Sequence, residues 1–443
     1  MNNALAKNFN IFTLIIFALP NMIMMLFLSM YTIVDGMFIS CFVGTDALSA
    51  TNMVYPAISA QMAVSIMIAT GGSAIIATRL GEKREQDAKS ALSLLVATEI
   101  ILGVITAVFG YIFINEIVAF LGASNTQKEM CVEYMAILFL FAPAFYLQTA
   151  FQVFFVTAGR PGLGLFVTAA AGVSNIVLDY LFMGPFNMGI AGAAIATGIG
   201  YSVVAIWGLV FFAIGKNNPI RFSKPKFDIS ILLKSFSNGS SEMVTNLSNS
   251  VTTFLFNYAF LKYYGEDGVA SITIVLYFQF ILTAMFFGYS NGIAPVISYK
   301  YGSGDKPQLK TVFKSSIFLI TAGSLITFAV SQLSVGFVLD VFTGSTSSGV
   351  KNVTLEGFGI YSLGFLLMGT SIFASSMFTA FSDGLVSAVI SFARTFLFLT
   401  GTIIILPYFF DSFGLWLSVP VAEAMGIAIS IWFLITKKKK YGY

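Results

Sequence analysis

The chain is a succession of apolar segments, each long enough to cross a bilayer, and this constrains the fold more than any single motif. A crossing takes about 20 apolar residues. Such stretches can be marked at 11–43, 47–80, 90–114, 129–157, 164–184, 189–214, 236–261, 269–299, 311–336, 353–380, 386–408 and 415–436. In lipid the backbone has no water to bond, so spans of this length must be helices. The expected class is therefore all-α, a polytopic membrane protein with twelve transmembrane helices. Composition agrees: of 443 residues, 57% are hydrophobic and only 10% charged, outside the range of soluble domains.

Several function classes drop out. Without histidine, zinc-protease motifs and Ser-His-Asp triads are excluded. Cys41 and Cys131 lack metal-ligand spacing and are expected to pack as small apolar residues, with a bridge between them left open. The first apolar run exceeds a signal-peptide core, so no cleavable leader is expected. No ATP-binding motif is present, so transport energy would have to come from an ion gradient. The expectation is a protein that is not an enzyme, carries no cofactor, binds no nucleic acid and acts as a monomer in the bilayer.

Lysine and arginine set the orientation. With the N-terminus inside, the basic residues divide about 20 to 3 in favour of the cytoplasmic side, which predicts both termini cytoplasmic. The run Lys437 to Lys440 reads as a topology anchor, with recognition of anionic lipid as the other reading.

The sequence also repeats itself. Gly44 begins GTDALSA and Gly265 begins GEDGVAS, while Gly71 and Gly81 meet Gly292 and Gly302, all 221 residues apart. Thr157 and Gly192 meet Thr379 and Gly414 at an offset of 222. Six spans per half is an even number, so both halves should cross in the same sense and be related by an axis along the membrane normal. The expected organisation is a first lobe over 1–214, a polar cytoplasmic linker over 215–235 and a second lobe over 236–443.

Ala171 to Gly200 holds the most informative polar residues. Asn175 and Asp179 are four apart and share one helical face. An ionisable group inside an apolar span is a functional hypothesis by default. Counting about 1.5 Å per residue from the outer end of each span, Tyr134 and Asp179 lie roughly 8 Å in, Thr197 roughly 12 Å, and Asp35 and Asn175 roughly 13 Å. Five polar residues from four helices thus fall at one level. Two carboxylates close together in low dielectric cannot both ionise comfortably, so the set should bind a proton or a metal cation. Sodium would suit these hard oxygens, and Asp35, Asn175, Asp179 and Thr197 would then be its ligands.

At these residues the chain resembles a known family. SNIVLDYLF at Ser174 to Phe182, GAAIAT at Gly192 to Thr197, VEYM at Val132 to Met135, Leu19-Pro20 and VDGMFIS at Val34 to Ser40 are similar to motifs of the MATE family of multidrug and toxic-compound extrusion transporters, most closely its DinF-like branch. The resemblance implies efflux of amphipathic, often cationic organic compounds in exchange for H+ or Na+, through two six-helix bundles in a prokaryotic cell membrane. Carried across by motif, it makes Asp35, Tyr134, Asn175, Asp179 and Thr197 the coupling site. It also raises Pro20, which can kink the first helix, to a hinge candidate.

Where other branches carry a proline and, eight residues on, a glutamate in helix seven, this chain has Ser241 and Asn249. Glu242 stands beside the missing proline, so Glu242 and Asn249 are the substrate-cavity candidates. Glu242 either supplies negative potential to cationic substrates or satisfies neighbouring polar groups. Glu99 and Glu423 are expected to pair with nearby polar groups, and Arg394 to snorkel or to neutralise an acid. Gly192, Ala196 and Gly200 read as a close-packing seam. The alternative, a flippase for lipid-linked or polysaccharide precursors, should offer a strongly cationic cavity, whereas the basic residues here gather at the cytoplasmic surface.

Overall fold

A computed structural model describes residues 4–123, 125–215, 218–343 and 348–443. Among these the only regular secondary structure is helix, without strands. A short 3-10 turn, Ala4–Ala6, precedes α1 (Ile11–Phe42), α2 (Thr45–Gly81), α3 (Glu85–Ile112), α4 (Ile114–Phe120), α5 (Asn125–Leu140), α6 (Ala142–Thr157), α7 (Pro161–Met183) and α8 (Gly189–Ile214). After the linker come α9 (Ile229–Gly302), α10 (Lys306–Thr343), α11 (Ser348–Tyr361), α12 (Phe365–Ala380), α13 (Gly384–Phe392) and α14 (Leu399–Tyr441).

Among the described residues nine helical runs are long and apolar enough to cross a membrane, and the bent pair α5 and α6 makes a tenth. Two of the runs are double. At about 1.5 Å per residue α9 would be far longer than a bilayer is thick, and it reverses at Gly265, whose φ of 66° and ψ of −151° are not helical. The run through α13 and α14 likewise breaks at Phe410 and Asp411. Twelve crossings result, as the apolar pattern predicts.

One span differs in shape from its prediction. Residues 129–157 form two helices that meet at 60°. Pro143 sits in the first turn of α6, where its missing N–H is tolerated, and it cannot bond back into α5. Pro20 acts differently, because α1 runs through it with every residue helical.

The duplication is written in the backbone as well. Positive φ occurs at Gly44 and Gly265, at Lys83 and Gly304, and at Gly189 and Asp411, pairs 221, 221 and 222 apart. The first pair closes the tight turn after the first span of each half, a left-handed conformation that costs glycine little.

Burial follows the same division. One apolar cluster around Phe256, Phe260, Tyr361 and Trp416 draws mainly on the second half. Two others lie wholly or mainly in the first half, around Phe151, Phe154 and Phe155 and around Ile39, Tyr134 and Met135. Large apolar side chains such as Phe120, Phe166 and Leu333 are left exposed, as a lipid-facing surface requires.

The halves are joined at the end of the bundle where both described chain ends lie. There Lys300 Nζ donates to Ala6 O at 3.3 Å, Phe9 N to Gln308 Oε1 at 2.8 Å, Thr78 Oγ1 to Ser298 O at 3.4 Å and Asn21 Nδ2 to Gly288 O at 2.6 Å. Glycines let the backbones meet. A Cβ on Gly239 would stand 1.8 Å from Met67 O, and one on Gly302 2.2 Å from Thr78 O. Among the described residues no hydrogen bond joins 30–60 to 250–285.

Residues 216 and 217 of the segment read as linker, Lys216 among them, lie outside the described residues. Its remainder is pinned to α3, with Ser223 N donating to Ser93 Oγ and Lys226 N to Ser90 Oγ, each at 2.9 Å. The last part of that segment is already helix, because Asp228 caps α9 by accepting from Ser230 N at 2.9 Å. Cys41 and Cys131 are both free; Cys131 is packed in the core beside Ala50 O.

Candidate functional site

The five residues singled out by depth come together between α1, α5, α7 and α8. Asp179 is on the inner face of α7, 1% exposed, one turn beyond Asn175, which is fully buried. Asp35 reaches across from α1, so that the two carboxyl groups stand near each other. Asn175 Nδ2 donates to Thr197 Oγ1 on α8 at 3.4 Å. Tyr134, from α5, stands close enough to feel both acids.

Two further tyrosines close the site and were missed by the sequence reading. Tyr31 and Tyr201 both lie in the field of Asp35. A signal for them existed: Tyr31 is one turn before Asp35 and Tyr201 one turn after Thr197, each on the face its neighbour already used. Tyr31 and Tyr201 also line a small pocket with Phe27, Gln148, Gln152 and Thr168.

α8 can approach because its facing residues are small. Ala196 is fully buried, and a Cβ on Gly200 would stand 3.5 Å from both Ala171 O and Asn175 Cβ. At Gly192 a Cβ would stand 2.9 Å from Phe182 Cβ, so this glycine, more than Gly200, keeps α8 close to α7.

Several acceptors in the site are unpaired. Asp35 Oδ1, Asn175 Oδ1 and both carboxylate oxygens of Asp179 are buried without a hydrogen-bond partner, four of fourteen such atoms among the described residues. Buried acceptors without donors are costly, and four in one cluster call for something positive between them. The set fits a hard monovalent cation, for which two carboxylates, an amide oxygen and the Thr197 hydroxyl are suitable ligands. It equally fits a proton shared by the two acids. Among the described residues no group of three or more His, Cys, Asp or Glu side chains could hold a metal ion.

The other singled-out residues lie elsewhere. Glu242, 8% exposed, lines a pocket inside the second half with Thr245, Ser371, Ser375, Ser391 and Arg394. Asn249, two turns further along α9, is exposed and does not line it. Arg394 donates from Nε to both oxygens of Glu423, at 3.0 and 2.8 Å, so it neutralises that acid. Glu99 is fully buried on α3 and its Oε2 pairs with Ser65 Oγ at 2.9 Å.

The fold defines a multi-pass, all-α membrane protein. The sequence profile of the MatE family matches the chain twice, over residues 20–181 and 243–404, and the chain belongs to this family, the MATE transporters. The multidrug export protein MepA of Staphylococcus aureus is 26% identical over 363 residues, covering 80% of this chain and 79% of that protein. MepA of Staphylococcus saprophyticus is 26% identical over 362 residues, with the same coverage. In overall fold the chain is similar to a multidrug-resistance MATE transporter in an outward-facing conformation, with a TM-score of 0.93 at 20% identity, covering 100% of this chain and 99% of the other. It is equally similar to a MOP-superfamily transporter from Pyrococcus furiosus, whose structure is described as having a binding pocket of reversed polarity, again with a TM-score of 0.93, 20% identity and coverage of 100% and 99%.

Proposed function

We propose that this protein is a secondary multidrug efflux antiporter of a prokaryotic cell membrane, exporting amphipathic, often cationic compounds in exchange for H+ or Na+. The observation that carries this reading is the group of partnerless oxygens on Asp35, Asn175 and Asp179. An ion entering there removes a large desolvation cost, and its departure restores it. That difference is what an ion gradient can use to bias one conformation over another.

The lysine and arginine bias supports both termini being cytoplasmic. The halves then act as two lobes closed on the cytoplasmic side, which supports an outward-facing state. α1 links the parts: it carries Asp35 near one end, Pro20 in its middle and Asn21 against the opposite lobe. Bending at Pro20 as Asp35 and Asp179 change occupancy would couple the ion to substrate release. The export activity named for the MepA relatives supports the substrate class, and the DinF-like motifs support placing the coupling ion in the first lobe.

The test is ethidium efflux from proteoliposomes under imposed sodium or proton gradients, comparing wild type with Asp35→Asn and Asp179→Asn. One gradient should drive the wild type and neither should drive the variants. Efflux that persists in both variants would remove the acid pair from the mechanism.

A further inference from the structure

The pocket around Glu242 is the counterpart, by the internal repeat, of the pocket beside the first acid pair. Gly172 and Thr168 line the first, and Arg394 and Ile390, 222 residues later, line the second. The two have diverged in charge. Position 21 holds an asparagine whose amide clamps the seam through Gly288 O; its equivalent, 221 residues on, is Glu242. Among the described residues the Glu242 side chain makes no such bond across the seam, so it is free for another partner.

No described donor reaches it. Arg394, which also lines the pocket, donates from Nε to both oxygens of Glu423 and makes no hydrogen bond to Glu242. Ser371 Oγ, fully buried in the pocket wall, has no partner either. The pocket therefore presents two acids, Glu242 and the paired Glu423, to a single arginine, with the Glu242 carboxyl and the Ser371 hydroxyl lacking a hydrogen-bond partner, and such a site suits a ligand that is positive and donates hydrogen bonds.

The pocket is also wired to the seam. Ser375 and Ser391, which line it, share a hydrogen bond at 2.8 Å. Ser375 meets Ser387 at 2.9 Å, Ser387 meets Thr379 Oγ1 at 2.7 Å, and Thr379 meets Ser241 at 3.2 Å. From there Asn238 Nδ2 bridges Thr379 O at 2.8 Å and Gly71 O, in the other half, at 3.4 Å.

We propose that the Glu242 pocket is a second cation subsite, distinct from Asp35 and Asp179, which holds the cationic, hydrogen-bond-donating end of a transported compound and reports its arrival to the seam through Thr379 and Asn238. This rests on the efflux reading but adds to it where the charge of the cargo is read.

The experiment measures ethidium binding to purified protein in nanodiscs by fluorescence anisotropy, with hexylammonium and hexanol as competitors. In the wild type hexylammonium should displace the dye and hexanol should not. Glu242→Gln should raise the Kd for ethidium about tenfold and abolish the preference for the amine, while efflux of any residual bound dye keeps the ion dependence set by Asp35 and Asp179. Ser371→Ala should weaken binding in the same direction, and Asn238→Ala should bind normally but export slowly. Glu242→Gln protein that melts like the wild type and binds ethidium with unchanged Kd would overturn the subsite while leaving the antiporter reading intact. Wild-type protein that neither binds nor exports the dye would bring down both.

Discussion

Asn21 Nδ2 donates to the carbonyl oxygen of Gly288 at 2.6 Å, tying the helix that carries Pro20 and Asp35 to the opposite half of the molecule. Asn21 is 2% exposed, so water cannot replace the bond. Asn21→Ala should cost about 1–3 kcal/mol, the usual penalty for a buried acceptor left unpaired. Because the bond closes only one end of the bundle, the loss should also favour conformations in which that end opens. Spin labels across the seam, near Thr78 and Ser298, would report a longer distance in the variant; an unchanged distribution would mean the bond is not part of the gate.

A seam glycine gives a sharper perturbation. A methyl on Gly239 would come 1.8 Å from Met67 O, backbone that cannot swing aside. Gly239→Ala should force the halves apart at that level, so that ethidium efflux falls to near background while the protein still reaches the membrane. Full activity would show that the halves can slide without losing the seal.

The fold was legible in the sequence because a bilayer admits few solutions, and long apolar runs report them directly. The reversals at Gly265 and Asp411 fell between predicted spans for the same reason. Asp35, Asn175 and Asp179 were legible because polar groups are rare at that depth. Tyr31 and Tyr201 were not, since the chain has 18 tyrosines and an aromatic ring suits lipid, core and site alike. The bend of 60° between α5 and α6 was also hidden, because Pro143 and Pro20 look alike in sequence and only packing decides which helix breaks. The shared 221-residue offset revealed the repeat, yet not that Gly71, from one half, packs against Gly239 of the other.

Tyr201 tests whether the site is larger than the motif. Its ring packs edge-on against Phe145, with centroids 5.0 Å apart, so Tyr201→Phe should keep the packing and remove only the hydroxyl beside Asp35. The loss of one hydrogen-bonding group is worth about 1 kcal/mol. The coupling ion should therefore bind several-fold more weakly, read as a rightward shift in the ion concentration that half-activates efflux, with maximal rate preserved.

Arg394 and Glu423 form a buried pair, with side chains 11% and 10% exposed. Removing one partner leaves a lone charge in the bundle, a cost of about 3–5 kcal/mol, whereas replacing both with apolar residues is often neutral. Arg394→Leu should thus lower the melting temperature sharply, and Arg394→Leu with Glu423→Leu should restore most of it. If the double variant is as unstable as the single one, Arg394 has a further partner, and Glu242 is the first to examine.

The end of α14 is fastened to the turn before α13, outside the membrane. Lys440 Nζ lies 3.3 Å from Asp383 Oδ2, and the Tyr441 hydroxyl donates to the same oxygen, while the Tyr441 ring stacks on Phe381 at 4.4 Å. Burial pushes the Asp383 carboxyl up, but the Tyr441 hydrogen bond and the two nearby lysines, Lys440 and Lys437, outweigh it and leave the group below its usual range. A depressed folded-state pKa stabilises fully above the unfolded value of about 3.9 and is lost only as pH falls through the lower folded value. Amide exchange over 434–443 should therefore be equally protected from about pH 5 to pH 8 and should rise only below about pH 4. Asp383→Asn should raise exchange across the whole range, since the amide keeps a weaker acceptor but no charge. Loss of protection in the wild type between about pH 5 and pH 7 would show that a group other than Asp383 holds this segment in place.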